Sequence, residues 1–467
     1  MAATVLLGFA WALLVPGGQS PDEPAHIGYA QVFAERLGFP KRDRDEEDLR
    51  ESAFSTEQRV ARDRSHQQWQ FAEPRVKSEW NPDAERNWDR KRERLVDADR
   101  SDGGGPNSAS GNPPLYYAYL AVAYHAAGAG HFFDRLYAMR LWSVLLLGLA
   151  VVATWLLAGE LTARNRLAQL VAAGVVGMQP MASFISASIN PDAALVPLWA
   201  LTFWLGVRLL RRPVTRAGLA ALLAAMIAAL LVKASSLALV PAVALVLVLV
   251  ARRSRAQGHV RRRQLAWLGA GAAGVAALGV IATSGRLGNV VRFEPAAIPG
   301  FASYLWQAYF PNLPFQTPIP GLAAFAGYDT WIRSGWAAFG WLEVQFPSPV
   351  YVVLAVVSVG LVVGGLVAMW RGRFSVDRGA AAFLGLAAVV LVAVLHWAEY
   401  RQFVDQQQSF LQGRYYLPLL PIGGLLTAAA LANLPARWRP AAAGAVLGAL
   451  LVLQLFSLGL VAARFYV

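Results

Sequence analysis

Residues 139–160 read MRLWSVLLLGLAVVATWLLAGE, and this stretch decides the fold. An apolar run of this length makes roughly 30 Å of α-helix, the thickness of a bilayer's hydrocarbon core. Runs of the same kind recur at 3–17, 166–187, 193–210, 217–232, 236–251, 265–284, 347–370, 379–396, 415–433 and 441–463. Together they predict an all-α, multi-pass transmembrane helical bundle of about eleven spans. The composition agrees: 56% of the 467 residues are hydrophobic and the mean hydropathy is +0.40, too apolar for a soluble enzyme.

The net charge of +13 would suggest nucleic acid until the arginines are placed. They sit in the short connections between the runs, at Arg164/Arg166, Arg208/Arg211/Arg212/Arg216, Arg252 to Arg263, Arg371/Arg373/Arg378 and Arg437/Arg439. All five groups fall on one side of this topology, which makes that side cytoplasmic. Nucleic-acid binding would want a basic soluble surface, and none is present. The absence of cysteine removes disulfides, thiolate nucleophiles and Cys-ligated metal sites, and leaves the redox compartment undetermined. The first run is shorter than a full span and reads either as a clipped crossing or as a signal-peptide core. Either way, the residues just beyond it emerge on the outer face of the membrane.

Those residues are Ser20-Pro21-Asp22-Glu23-Pro24-Ala25-His26. A helix starting at Pro21 would put Asp22 and His26 four apart on one face, close enough to share a proton, a metal or a substrate hydroxyl. Ionisable groups this dense at a membrane edge point to function. The same residues also satisfy a capping box, Ser20 to Glu23 with Pro21 at the first helical position. The two readings coexist if Glu23 serves the cap and Asp22 stays available.

The charged outer segment 37–112 is nearly neutral, with 15 Lys/Arg against 16 Asp/Glu between Lys41 and Arg100. It reads as a partly helical insertion ending in a linker-like stretch, Gly103 to Gly111. Its D-x-D patterns, Asp43-Arg44-Asp45 and Asp97-Ala98-Asp99, are of a kind that can hold a divalent metal, but neither lies beside a span, and a solvated surface explains them better. Trp69, Trp80 and Trp88 suggest that part of it packs. At Asn112-Pro113-Pro114-Leu115-Tyr116-Tyr117 two prolines open an apolar helix suited to the membrane plane, with Tyr116 and Tyr117 as candidate substrate contacts. In the next outer turn Asn190-Pro191-Asp192 is either an Asx turn or a polar substrate contact. Lys233 interrupts an apolar pair, as a snorkelling side chain or a phosphate ligand. The aromatic outer loop 285–346, with residues such as Tyr309, Trp331 and Trp341, reads as a headgroup-level belt that could also stack on sugar rings. Arg414, in Gln412-Gly413-Arg414-Tyr415-Tyr416-Leu417-Pro418, fits the charge rule least. Its fork suits phosphate oxygens, with a headgroup anchor or an ion pair to Glu399 or Asp405 as the alternatives.

The ordered set of P-D-E-P-A-H after the first run, N-P-P-L-Y-Y, N-P-D, the lysine break and Q-G-R-Y-x-x-P resembles a bacterial family of predicted membrane glycosyltransferases of the GT-C superfamily. The resemblance implies a polytopic enzyme that takes a sugar from a polyprenyl-phosphate lipid on the outer face and passes it to a glycan or other cell-envelope acceptor. It matches Asp22 to the acidic base, Glu23 to its neighbour, and Arg414 and Lys233 to the donor-phosphate ligands. The chemistry agrees independently. Such a transfer needs one base for the acceptor hydroxyl and cations for the departing phosphate, and direct attack inverts the anomeric carbon. Glu23 and His26 would then orient the base or the acceptor. No cofactor is required by this reading, and a divalent metal is left open. Two other classes compete: a transporter or flippase for lipid-linked saccharides, which would want ionisable residues deep in several spans, and a non-catalytic membrane scaffold.

Overall fold

The computed structural model describes residues 1–41, 52–65, 98–256, 295–322, 326–406 and 409–467. The D-x-D at Asp43, the Asp97 end of the second one, Trp69, Trp80, Trp88 and the apolar run 265–284 lie outside them. Among the described residues, six helices are long and apolar enough to cross a membrane: Phe132–Leu161, Asp192–Arg211, Ala234–Arg255, Ser348–Trp370, Arg378–Asp405 and Ala436–Tyr466. The helix Phe132–Leu161 lies at the centre, packed along Asp192–Arg211, Arg166–Met178 and the first helix, Ala2–Leu14. By contrast, Ser348–Trp370 and the last helix keep much of their apolar surface outward, as lipid-facing helices do.

Three expected spans take a different form. The run 166–187 is broken into Arg166–Met178 and Pro180–Ser186, bent by 57°. Pro180 has no N–H to give and drives Gln179 into an extended conformation (ψ 122°), whose side chain then caps the second piece through Ala182 N at 2.6 Å. The run 415–433 becomes a 3-10 turn, Gly413–Leu419, and a 12-residue helix, Leu420–Leu431, because Pro418 and Pro421 interrupt the hydrogen-bond ladder. The 13-residue first helix stops at Leu14, before Pro16, too short to span alone. The lysine break has the expected form: Arg216–Leu230 ends, and Lys233 is extended before the turn Ala234–Ala238.

Glu23 does not serve a capping box, because the second helix, Glu23–Arg36, starts two residues later than expected with Asp22 at its N-cap. Its carboxylate instead meets Arg140 of the central helix, and both side chains are fully buried. Arg140 Nε donates to Glu23 Oε1 at 2.8 Å and Nη2 to Oε2 at 2.5 Å, a two-pronged charge-assisted pair. The other donors of Arg140 reach the carbonyls of Ala12 (3.1 Å), Val15 (2.5 Å) and Pro16 (3.0 Å), in the last turn of the first helix and just beyond it. Glu23 in turn accepts from the backbone N–H of Gly18 and of Ile189, each at 3.0 Å. One ion pair thus fastens the loop 15–22 to the central helix and to the turn before Asn190.

The described parts of the outer insertion are also fastened down. Glu57, in the helix Thr56–Ser65, pairs with buried Arg135 and accepts from Gln31 at 2.9 Å, while Gln58 donates to the carbonyl of Pro24 at 2.9 Å. The stretch from Gly103 is not a free linker. Asn107 is buried and donates to the Ala25 carbonyl, and Lys41 N–H donates to the Gly104 carbonyl, both at 2.9 Å. In the aromatic segment, Trp331 and His396 both hydrogen-bond the Tyr309 hydroxyl, and Trp341 donates to the Gly18 carbonyl at 3.1 Å. These side chains pin the segment to the bundle.

Removing one partner of a buried pair leaves the other charged and unpaired. Glu23→Ala is therefore expected to destabilise the protein by about 3–5 kcal/mol, measured by denaturant unfolding in detergent. The apolar double replacement Glu23→Leu/Arg140→Met should be less damaging than either single change, a non-additivity that a double-mutant cycle reads directly.

Candidate functional site

Five separate segments meet at the helix ends opposite the arginine-rich connections: the loop at Asp22, the start of the helix Leu115–Ala126, the turn 187–192, Lys233, and the turn at Arg414. Asp22 sits at φ 62°, a left-handed conformation that Asp tolerates better than most residues. Strain of this type costs roughly 1–3 kcal/mol, and here it turns the Asp22 carboxylate away from its buried neighbour Glu23. The Asp22 side chain is half exposed. It accepts a hydrogen bond from Arg414 Nη2 at 2.5 Å, joining residues 392 positions apart.

Arg414 is aimed by close backbone packing. Gly413 donates its N–H to Ser334 Oγ at 2.8 Å, and a Cβ at position 413 would collide with the backbone of Gly335. Only glycine fits there. The Arg414 side chain is 5% exposed, yet Nε and Nη1 are buried with no hydrogen-bond partner among the described residues. Its guanidinium lies over the Tyr415 ring at 5.1 Å, and Lys233 Nζ lies over the same ring at 4.6 Å. Lys233 completes an ion pair with buried Asp192, whose second oxygen, Oδ2, is also buried without a partner among the described residues. The alternatives of a snorkelling lysine and of an Arg414 pair with Glu399 are not what is found: Glu399 instead accepts from Ser409 and from the N–H groups of Phe410 and Leu411.

The remaining candidates surround this pair of ion pairs. His26 Nδ1 is 2.8 Å from the Tyr117 hydroxyl. Tyr116 bonds Ser143 at 3.0 Å and accepts from the N–H of Asn190 at 3.0 Å. Asn190 makes the Asx turn, its Oδ1 accepting from Asp192 N–H at 2.9 Å. Tyr116 and Asn190 are therefore occupied by the protein itself and hold the turn that presents Asp192, and Glu23 is taken by Arg140. Among the described residues, no group of three or more His, Asp or Glu side chains is arranged to hold a metal ion.

Burial lowers the His26 imidazole to about 4. The Asp22 and Asp192 carboxylates oppose that shift, while Lys233 and Arg414 add to it. Partial removal from water acts to raise the Asp22 carboxyl, but Arg414, helped by His26 and Lys233, outweighs this and holds it below the usual carboxylate range. Burial raises the Tyr116 and Tyr117 phenols. At neutral pH the centre therefore contains ionised Asp22, a neutral imidazole and two neutral phenols. Sequence reasoning did not identify Arg140 or assign a role to Tyr415. Arg140 had a readable signal, being a lone cation within an apolar run.

A helical membrane protein with a charged polar centre at the helix ends is the class these features define. The chain belongs to the family described as "Predicted membrane protein (DUF2142)", whose model matches residues 5–423. Among solved structures it is similar to ArnT from Cupriavidus metallidurans bound to undecaprenyl phosphate, with 15% identity and a TM-score of 0.47. That match covers 96% of this chain and 62% of the ArnT chain, so the chain spans less than two thirds of ArnT's length. No curated protein matches it.

Because His26 has a lower value in the folded protein (about 4) than its ordinary 6.5, the unfolded chain takes up the proton first as pH falls. Its contribution to stability is complete above pH 6.5 and is lost progressively between there and pH 4, by up to about 3 kcal/mol. Thermal unfolding followed from pH 7.5 to 4.5 should show this loss, and His26→Asn should flatten the slope.

Proposed function

We propose that this chain is a membrane glycosyltransferase of the GT-C kind, moving a sugar from a polyprenyl-phosphate donor to a cell-envelope acceptor on the outer face of the plasma membrane. Arg414 carries the reading. It is a buried guanidinium with one arm on a carboxylate and two donor nitrogens, Nε and Nη1, without a partner among the described residues. Leaving such donors unmatched costs about 1–3 kcal/mol each, and a phosphate oxygen removes that cost. The half-exposed Asp22 beside it is the group placed to meet an acceptor hydroxyl.

In the proposed reaction, Asp22 takes the proton of the acceptor hydroxyl as that oxygen's lone pair forms a bond to the anomeric carbon. The bond from this carbon to the phosphate oxygen breaks, and its electron pair leaves with the phosphate. Arg414 and Lys233 receive the developing charge. Attack opposite the leaving group inverts the anomeric centre. His26 and its hydrogen-bonded neighbour Tyr117 stand on the acceptor side as neutral donors and acceptors, Tyr116 holds the turn at Asn190, and Asp192 keeps Lys233 in position.

The two roles of Arg414 are linked. While it is bonded to Asp22, the carboxylate is a weak base. A donor phosphate that draws the guanidinium to itself releases Asp22 and adds a negative charge nearby, and both changes raise its proton affinity. The base would then become competent only when the donor is in place.

In folded preparations, Asp22→Asn should lower transfer from a polyprenyl-phosphate sugar by about 10²–10⁴. Asn tolerates the left-handed backbone as Asp does, so the turn survives. Transfer at the parental rate would remove Asp22 as the base. Arg414→Ala should raise the KM for the lipid donor well above its effect on the acceptor. An equal effect on both substrates would place Arg414 away from the phosphate.

A further inference from the structure

At the opposite, arginine-rich ends of the helices lies a cavity of about 370 Å³. The helix Asp192–Arg211 runs between the two regions, with Asp192 at the polar centre and Arg211 on the cavity wall. Twenty residues of helix make this separation roughly 30 Å. The wall combines three guanidiniums, Arg211, Arg373 and Arg439, with apolar side chains such as Leu167, Val171 and Leu431.

Two of the three, Arg373 and Arg439, are held in place by protein carbonyls but not neutralised by a carboxylate among the described residues. Arg439 donates through Nε to the Leu434 carbonyl and through Nη2 to the Ala432 carbonyl, each at 3.0 Å. Arg373 Nη1 donates to the Asn433 carbonyl at 3.2 Å. Neither has a carboxylate partner among the described residues; Arg211 does, with Asp377 at 3.1 Å. Three cations against one carboxylate leave a local excess of positive charge, and Arg373 Nη2 and Arg439 Nη1 are not engaged by the described residues.

Two tryptophans set the depth. Trp370 (84% exposed) and Trp438 (56% exposed) lie beside this pair of arginines on the chain, and exposed tryptophans of a membrane protein settle at the headgroup level. The cavity therefore lies at the depth of the lipid phosphates, and part of its wall is apolar. We propose that it binds the phosphate of an anionic phospholipid from the arginine-rich side of the membrane. A phosphodiester supplies the missing negative charge and oxygens for the remaining donors, and the acyl chains cover the apolar wall.

The test uses full-length protein in detergent micelles, titrated with dioleoyl phosphatidylglycerol, with dioleoyl phosphatidylcholine and with inorganic phosphate. Bound lipid is read by native mass spectrometry and stabilisation by thermal unfolding. Phosphatidylglycerol should bind at least tenfold more tightly than phosphatidylcholine, and Arg373→Gln/Arg439→Gln should abolish that preference. Inorganic phosphate should neither stabilise the protein nor displace the lipid at millimolar concentration; if it does both, the site takes free phosphate and the lipid assignment fails. An undiminished preference in the double variant would also overturn the proposal. Should that variant not fold, a photoactivatable phosphatidylglycerol on the parental protein decides. Crosslinks at 371–375 and 432–439 support the site, and crosslinks confined elsewhere refute it.

Discussion

The fork between Glu23 and Arg140 is the constraint on which the rest of the centre depends. Arg140 enters the bundle on an apolar helix, and its charge must be met there by an opposite one. Glu23 supplies the charge, and three carbonyls at the end of the first helix take the remaining donors. A helix too short to span is thereby anchored, the loop 15–22 is drawn inward, and the next helix is oriented. Much of the attraction in such a pair offsets lost hydration, so the pair's net contribution to stability is smaller than the cost of losing one of its partners.

Adjacent carboxylates have opposite fates as a result. Glu23 is buried and saturated, while Asp22, turned by its left-handed backbone, is half exposed and held by one hydrogen bond to Arg414. The second ion pair, Lys233 with Asp192, shares the Tyr415 ring with Arg414, so cations from two distant segments meet on one aromatic side chain. The two pairs balance in charge. They do not balance in hydrogen bonding, since Arg414 Nε, Arg414 Nη1 and Asp192 Oδ2 stay unmatched among the described residues.

Much of the architecture was legible from local pattern alone. Among the described residues the long apolar runs became helices, broken where proline intervened, the arginines between them collected at one set of helix ends, and the lysine break formed where expected. Where the pattern misled, proline was the reason. Pro180, Pro418 and Pro421 each broke an apolar run that hydropathy had read as continuous, because hydropathy weighs side chains and proline acts on the backbone. The linker reading of the glycines after Gly103 failed differently: composition recorded their freedom but not Asn107 and Arg36, which tie them down.

By itself the sequence determined a helical membrane protein, the gathering of its arginines between apolar runs, and a short set of polar residues that hydrocarbon would not tolerate without cause. Asp22, Arg414, Lys233 and Asp192 could be named because each is anomalous in its own neighbourhood. Which of them meet, and which carboxylate is used up in holding the fold, was decided only by the tertiary structure. Glu23 finds Arg140 across 117 positions, and Asp22 finds Arg414 across 392. Hydrophobicity and helix propensity act over a few residues and are written locally. The pairing of buried charges depends on which helices pack together, and is settled only when the whole chain has closed around them.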